Sequence, residues 1–161
     1  MQTLSQVLSD TTAAFPKQAA IIPHDGIITY EQLNERVDRL ARGLLELGVE
    51  KGDKVAIWMP NIPEWVIAYF AVARVGAVVV PLNTRYKTHE VHYILEDSGA
   101  TTLFMVDSFA RIDYPAMVDE IREKLPNLKQ IIVVGEKGND IAFDEVERLG
   151  SEELSSGELS S

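Results

Sequence analysis

The sequence predicts an α/β fold: an open, mainly parallel sheet with helices on both faces, plus an N-terminal β-hairpin. Three observations lead there. From Thr29 onward, segments with helical periodicity and short apolar runs alternate four times. The later runs, "AVVVPL", "TTLFMV" and "QIIVV", are apolar throughout rather than alternating, so both faces of those strands are expected to be covered. Near the start, "AAIIP" and "IITY" flank "HDG", a hairpin signal with Gly26 available for positive φ. Helices alternating with such strands imply parallel pairing through right-handed crossovers.

Each element has a local reason. Leu4 to Phe15 reads as a short helix stopped by Pro16. Thr29 opens the next helix, with Gln32 at capping-box spacing. Leu33, Val37, Leu40, Leu44 and Leu47 then step by four and three and lay one apolar stripe along it. Gly48 stops it, and "KVAIWM" follows as a strand. Asn61 as cap, Pro63 in the first turn and Glu64 at the positive dipole end start a helix over Trp65 to Arg74. That helix is apolar nearly all round and is expected to be buried on most faces.

Further helices are expected over Thr88 to Asp97, Tyr114 to Lys124 and Phe143 to Leu149. The ligand side of such a sheet is the carboxyl ends of its strands. Those ends are Pro60-Asn61, Pro81 to Arg85, Asp107-Ser108 and Gly135-Glu136. "SEELSSGELSS" offers little to bury and reads as a solvated segment. The chain thus divides into an α/β subdomain over 1–150 and an acidic Ser/Glu-rich linker or tail over 151–161.

Composition narrows the function classes. The chain has 161 residues, 46% hydrophobic and 25% charged, enough for one domain with a real core. It has no cysteine, which excludes disulfides and thiolate metal sites and fits a reducing, cytoplasmic setting. The formal net charge is −10, and the six acids and one base from Asp144 to Ser161 supply half of it. An acidic chain is a poor partner for nucleic acid or an anionic membrane surface. "MQTLSQVLSD" lacks the basic and apolar regions of a signal peptide. "WVIAYFAVARVGAVVVPL" is 18 residues with one charge, but Arg74 and Gly76 divide it into buried helix, turn and buried strand rather than a membrane span.

Two motifs invite chemistry. "GVEKGDKVAIWMPN" places glycines and a lysine before an apolar run, as a phosphate loop would. The order is wrong, however: helix, loop, strand, with no helix N-terminus aimed at the loop. It reads as a helix stop at Gly48 and a turn at Gly52-Asp53. "HEVH" is one residue short of a zinc-protease motif; His89, His92 and Glu96 share a helical face, yet no further ligand cluster accompanies them. Neither Gly-x-Gly-x-x-Gly nor Gly-x-Ser-x-Gly is present. No catalytic residue and no metal ligand is assigned.

Several stretches, in order, resemble the adenylate-forming (AMP-binding) superfamily and its acyl-CoA synthetases, or fatty-acid–CoA ligases. They are "ITYEQL", "GVEKGDKVAIWMPNIPEW", "FAVARVGAVVVPLNTRY" and "HYILEDSGATTLFMVD". The resemblance implies part of the large N-terminal domain of a ligase that turns a carboxylate and ATP into acyl-AMP and then acyl-CoA. It implies ATP, magnesium and coenzyme A for the complete enzyme, none of them held by this fragment. The partner implied is the remainder of the ligase, together with a small carboxylate substrate. "NTRYKTHEVHYILEDSGA" has the look of members acting on fatty acids. The family's Ser/Thr/Gly-rich phosphate loop ending Pro-Lys-Gly is not in the sequence, so the 161 residues alone are expected to be inactive.

In some CoA-forming members a basic residue near this position contacts a CoA phosphate, and Arg85 is the residue here that matches. An arginine fork on a loop suits a phosphate; it also suits simply ordering that loop. The competing reading of the whole is a non-catalytic, stand-alone α/β domain that binds a partner or a nucleotide.

Overall fold

A computed structural model describes residues 2–160, with side chains described for 2–152. The expected helices and strands form, in the expected order. The chain runs α1 (Leu4–Ala14), β1 (Ala19–Ile21), β2 (Ile28–Thr29), α2 (Tyr30–Glu46), β3 (Lys54–Trp58), α3 (Pro63–Arg74), β4 (Val78–Pro81) and α4 (Thr88–Ser98). It continues through β5 (Thr102–Val106), β6 (Ser108–Phe109), β7 (Ile112–Asp113), α5 (Tyr114–Ile121), β8 (Gln130–Val134), β9 (Ile141–Ala142) and α6 (Phe143–Ser160).

β1 and β2 pair antiparallel as the hairpin. The main sheet has five strands in the order β4-β3-β5-β8-β9, all parallel. β3 and β5 lie in its middle and are buried almost throughout. The step from β3 to β4 runs one way along the sheet and the steps from β4 to β5 and on to β8 run the other. Right-handed crossovers therefore put α3 on one face and α4 and α5 on the opposite one. The packing agrees: α1, α2 and α3 contact one another, α6 packs on α2, and α4 contacts α5.

The α2 stripe is as the spacing predicts. Leu33, Val37, Leu40 and Leu44 are buried. Thr29 and Gln32 exchange both capping-box bonds, at 2.9 and 3.2 Å. Gly48 and Gly52 both have φ +90, where a side chain would be strained. Gly52 N donates to the Gly76 carbonyl at 2.9 Å and Asp53 accepts from Glu50 N, so the loop is a turn tied by its own backbone.

Four expectations are corrected. Ile62, not Asn61, is the N-cap of α3, with no side-chain capping bond; Pro63 and, in the first turn, Glu64 are as expected. Gly26 is not at positive φ. β4 is not covered on both faces: it is the sheet's edge, with Val78 44% exposed. The last helix does not stop at Leu149 but runs to Ser160.

That last helix has a packing reason. A Cβ on Gly43 of α2 would overlap the Val146 carbonyl, and one on Gly150 of α6 would overlap the Arg39 carbonyl. Two glycines, one per helix, let the backbones approach until each lies against the other. Arg36 then reaches Glu147 with both Nε and Nη2, at 3.2 and 2.8 Å, in a largely buried ion pair.

Candidate functional site

The loops at the carboxyl edge of the parallel sheet enclose two adjoining depressions. One, about 670 Å3, lies beyond β3 and β4 and is lined by Pro60, Ile62, Trp65, Leu82, Thr84 and Phe109, among others. The second, about 630 Å3, lies beyond β5 and β8 and is mostly charged, with Asp107, Arg111, Asp113, Arg122, Glu136 and Asp140 among its walls. The expected ligand side and the observed depressions coincide.

The loop after β4 is held from below by two aromatic donors. Trp58, the last residue of β3, is fully buried and its Nε1 donates to the Asn83 carbonyl at 2.9 Å. Tyr114, the first residue of α5, is also fully buried and its hydroxyl donates to the Thr84 carbonyl at 2.9 Å. Burial pushes the Tyr114 phenol above its ordinary range, keeping it a donor. Asn83 Oδ1 accepts from Arg85 N at 2.9 Å, a local turn directly after the lining residues Asn83 and Thr84. The Arg85 side chain is exposed and forms no hydrogen bond or ion pair with a described residue.

The second depression is internally tied. Asp107 accepts from Ser108 N at 2.7 Å and from Glu136 N at 2.9 Å, joining the loops after β5 and β8. Gly135 at φ +109 makes this possible, because a Cβ there would overlap the Asp107 carboxylate. Arg122 forks onto Asp140 at 2.7 and 2.9 Å and reaches Asp119 at 3.0 Å. Those carboxylates, Asp140 foremost, hold the Arg122 guanidinium even more firmly protonated than usual. Asp113 caps α5 by accepting from Ala116 N.

Between the two depressions stands the β6–β7 hairpin, which no sequence signal announced. Its turn residues Ala110 and Arg111 have φ +51 and +68, values normally left to Asn-Gly. Phe109 faces one depression and Arg111 the other.

The His pair of "HEVH" does not converge on a site. His89 is exposed, while His92 Nε2 is buried without a hydrogen-bond partner, 3.7 Å from Glu96 Oε2. Among the described residues no group of three or more His, Asp and Glu could hold a metal ion. No described helix is long and apolar enough to cross a membrane.

This architecture is that of the N-terminal domains of adenylate-forming ligases. A crystal structure of the anthranilate CoA ligase AuaEII with anthranoyl-AMP matches with TM-score 0.82 and 26% identity, over 91% of this chain and 27% of that one. A long-chain-fatty-acid-CoA ligase (FadD1) from Archaeoglobus fulgidus matches with TM-score 0.81 and 28% identity, over 94% and 30%. YngI of Bacillus subtilis, which carries a provisional acyl-CoA synthetase name, is 37% identical over 150 residues, 84% of this chain and 27% of its own length. The chain matches the AMP-binding enzyme family over residues 8–156 and belongs to it. It spans less than a third of the length of each of these three proteins.

Proposed function

We propose that the chain is the N-terminal part of an ATP-dependent acyl-CoA synthetase. In this reading the complete ligase joins a carboxylate to ATP, releasing pyrophosphate, and then transfers the acyl group from AMP to the thiol of coenzyme A. The observation that carries it is the family match over residues 8–156, nearly the whole chain. ATP, magnesium and coenzyme A are the complete enzyme's requirements, and the cytoplasm is its proposed location. A fatty acid is the proposed acyl donor, supported by similarity to the long-chain-fatty-acid-CoA ligase.

The part played by these residues is scaffold and one wall. The strand-end loops build the wall, and Arg85 follows its last residues, Asn83 and Thr84, with an unengaged fork. We assign Arg85 to a phosphate of CoA, since a guanidinium matches phosphate geometry with two parallel hydrogen bonds. The 161-residue chain by itself is proposed not to turn over ATP.

ATP–pyrophosphate exchange tests both statements. The full-length protein exchanges with a panel of fatty acids and forms the corresponding acyl-CoA; the 161-residue chain does not exchange. Exchange by the short chain, or none by the full-length protein with any carboxylate, overturns the proposal. For Arg85, the full-length Arg85→Ala protein has a raised KM for CoA and a weaker salt dependence; if both stay unchanged, the assignment is wrong.

A further inference from the structure

We infer that the outer edge of β4 is a seat for one further β-strand, supplied by the part of the ligase outside this chain. This rests on the ligase reading above.

The first observation is the edge itself. β4 pairs with β3 on one side and with no described strand on the other. Val78 N and Leu82 N turn inward, donating to the Asp53 and Ile57 carbonyls at 2.7 and 2.9 Å. Alternation along the strand therefore turns the backbone groups of Val79 and Pro81 outward. The opposite edge of the sheet is guarded: β9 is two residues long and lies in contact with α6. β4 has four residues and no charged side chain; only Pro81, which cannot donate, limits what it can pair with.

The second observation is the groove beside that edge. It holds about 340 Å3 between Val79 and Pro81 of β4, Trp65 and Tyr69 of α3, and Leu4 of α1. Trp65 and Tyr69 stack at 5.4 Å and make one wall of it. Trp65 and Pro81 also line the depression beyond β3 and β4, so the two share a boundary. In a chain that is 25% charged, neither lining includes an Asp, Glu, Lys, Arg or His among the described residues. An uncharged trough along an open strand edge suits an added strand, whose backbone bonds to the edge while alternate apolar side chains fill the trough.

The third observation selects the occupant. A second copy pairs poorly here. Pro81 has no N–H, and Ala77 N already serves the Val72 carbonyl at 3.1 Å. Val79 is then the one donor that each β4 brings, so a two-fold β4–β4 pair is limited to two hydrogen bonds. A strand of different sequence brings its own donors. It accepts from Val79 N and donates to the carbonyls of Val79 and Pro81, three bonds in place of two. The chain spans less than a third of the length of the ligases it matches. The remainder of such a ligase is tethered to this edge and meets it at an effective concentration that a separate molecule does not reach.

Amide hydrogen exchange of the wild-type full-length protein, read at single residues, tests the seat without any substitution. The Val80 amide faces β3 and is protected in either case; the Val79 amide is protected only when the edge is covered. The Val79 amide exchanges within about tenfold of Val80, whereas an open edge leaves it more than about a hundredfold faster and overturns the proposal. Replacing Tyr69 by the photoreactive benzoylphenylalanine in the full-length protein then identifies the occupant. The expected crosslink joins position 69 to a residue of the same polypeptide outside 1–161. A crosslink between two copies, or to residues within 1–161 alone, overturns the assignment. A protected Val79 amide in a full-length protein that exchanges no pyrophosphate keeps the strand and breaks the ligase reading. Normal pyrophosphate exchange with an unprotected Val79 amide does the reverse.

Discussion

Trp58 and Tyr114 meet edge to face, ring centroids 4.4 Å apart at 79°, and each donates one hydrogen bond to successive carbonyls of the same loop. The rings come from β3, a strand of the main sheet, and from the start of the helix α5. Their contact therefore couples the loop after β4, which bears Arg85, to the hairpin that bears Arg111.

Removing the Tyr114 hydroxyl leaves the Thr84 carbonyl without its donor. Tyr114→Phe should lower stability by about 1–3 kcal/mol, read from urea midpoints at unchanged slope. Trp58→Phe should cost more, since it deletes volume from a fully buried site as well as a donor. A double-mutant cycle should show the two effects to be non-additive.

Tyr114 also sets an alkaline limit. Its folded pKa is raised above the ordinary 10.0 by burial. Between the unfolded and folded values the unfolded chain has released the proton and the folded one retains it. The stability this supplies is complete below about pH 10 and is lost as pH rises through the folded value. Urea midpoints measured from pH 8 to 11 should fall more steeply in wild type than in Tyr114→Phe. Parallel slopes would mean that the phenol titrates alike in both states.

Gly43 and Gly150 admit no side chain. Gly43→Ala and Gly150→Ala should each destabilise by about 1–3 kcal/mol, because the methyl meets a backbone carbonyl that cannot rotate away. Gly26 is the contrast: nothing lies near its Cβ direction and its φ is ordinary. Gly26→Ala should gain about 0.4–1 kcal/mol from reduced unfolded-state entropy.

The β4 edge should be sticky in the 161-residue chain. Trp65 and Tyr69 stack at 5.4 Å beside Val79 and Pro81, forming an apolar groove next to an unpaired strand edge. Sedimentation should detect concentration-dependent association, and Val78→Lys should reduce it by charging the exposed edge. A variant that associates as wild type does would put the contact elsewhere.

Much of this molecule is written in local sequence. The Thr29–Gln32 box, the four-and-three leucine stripe and the uniformly apolar strands depend on near neighbours and simple periodicity, so α2, β5 and the parallel sheet were legible. The same logic dismissed Gly48 to Asn61 as a phosphate loop, because element order alone decides where a helix dipole points. The resemblance marked the family and singled out Arg85 from its motif position.

What only the tertiary structure decided involves residues distant along the chain. Which strand became the edge is a question of sheet order, and it left β4 exposed despite its apolar run. The close seat of α6 on α2 depends on Gly43 facing Val146 and Gly150 facing Arg39, pairings with no local signal. Ala110-Arg111 carries no turn chemistry, so the hairpin was invisible until Asp107, Arg122 and Tyr114 had closed the loops around it. Local rules record the cost of a residue in its own backbone; only the assembled loops show which charges are already satisfied and which remain free to meet a ligand.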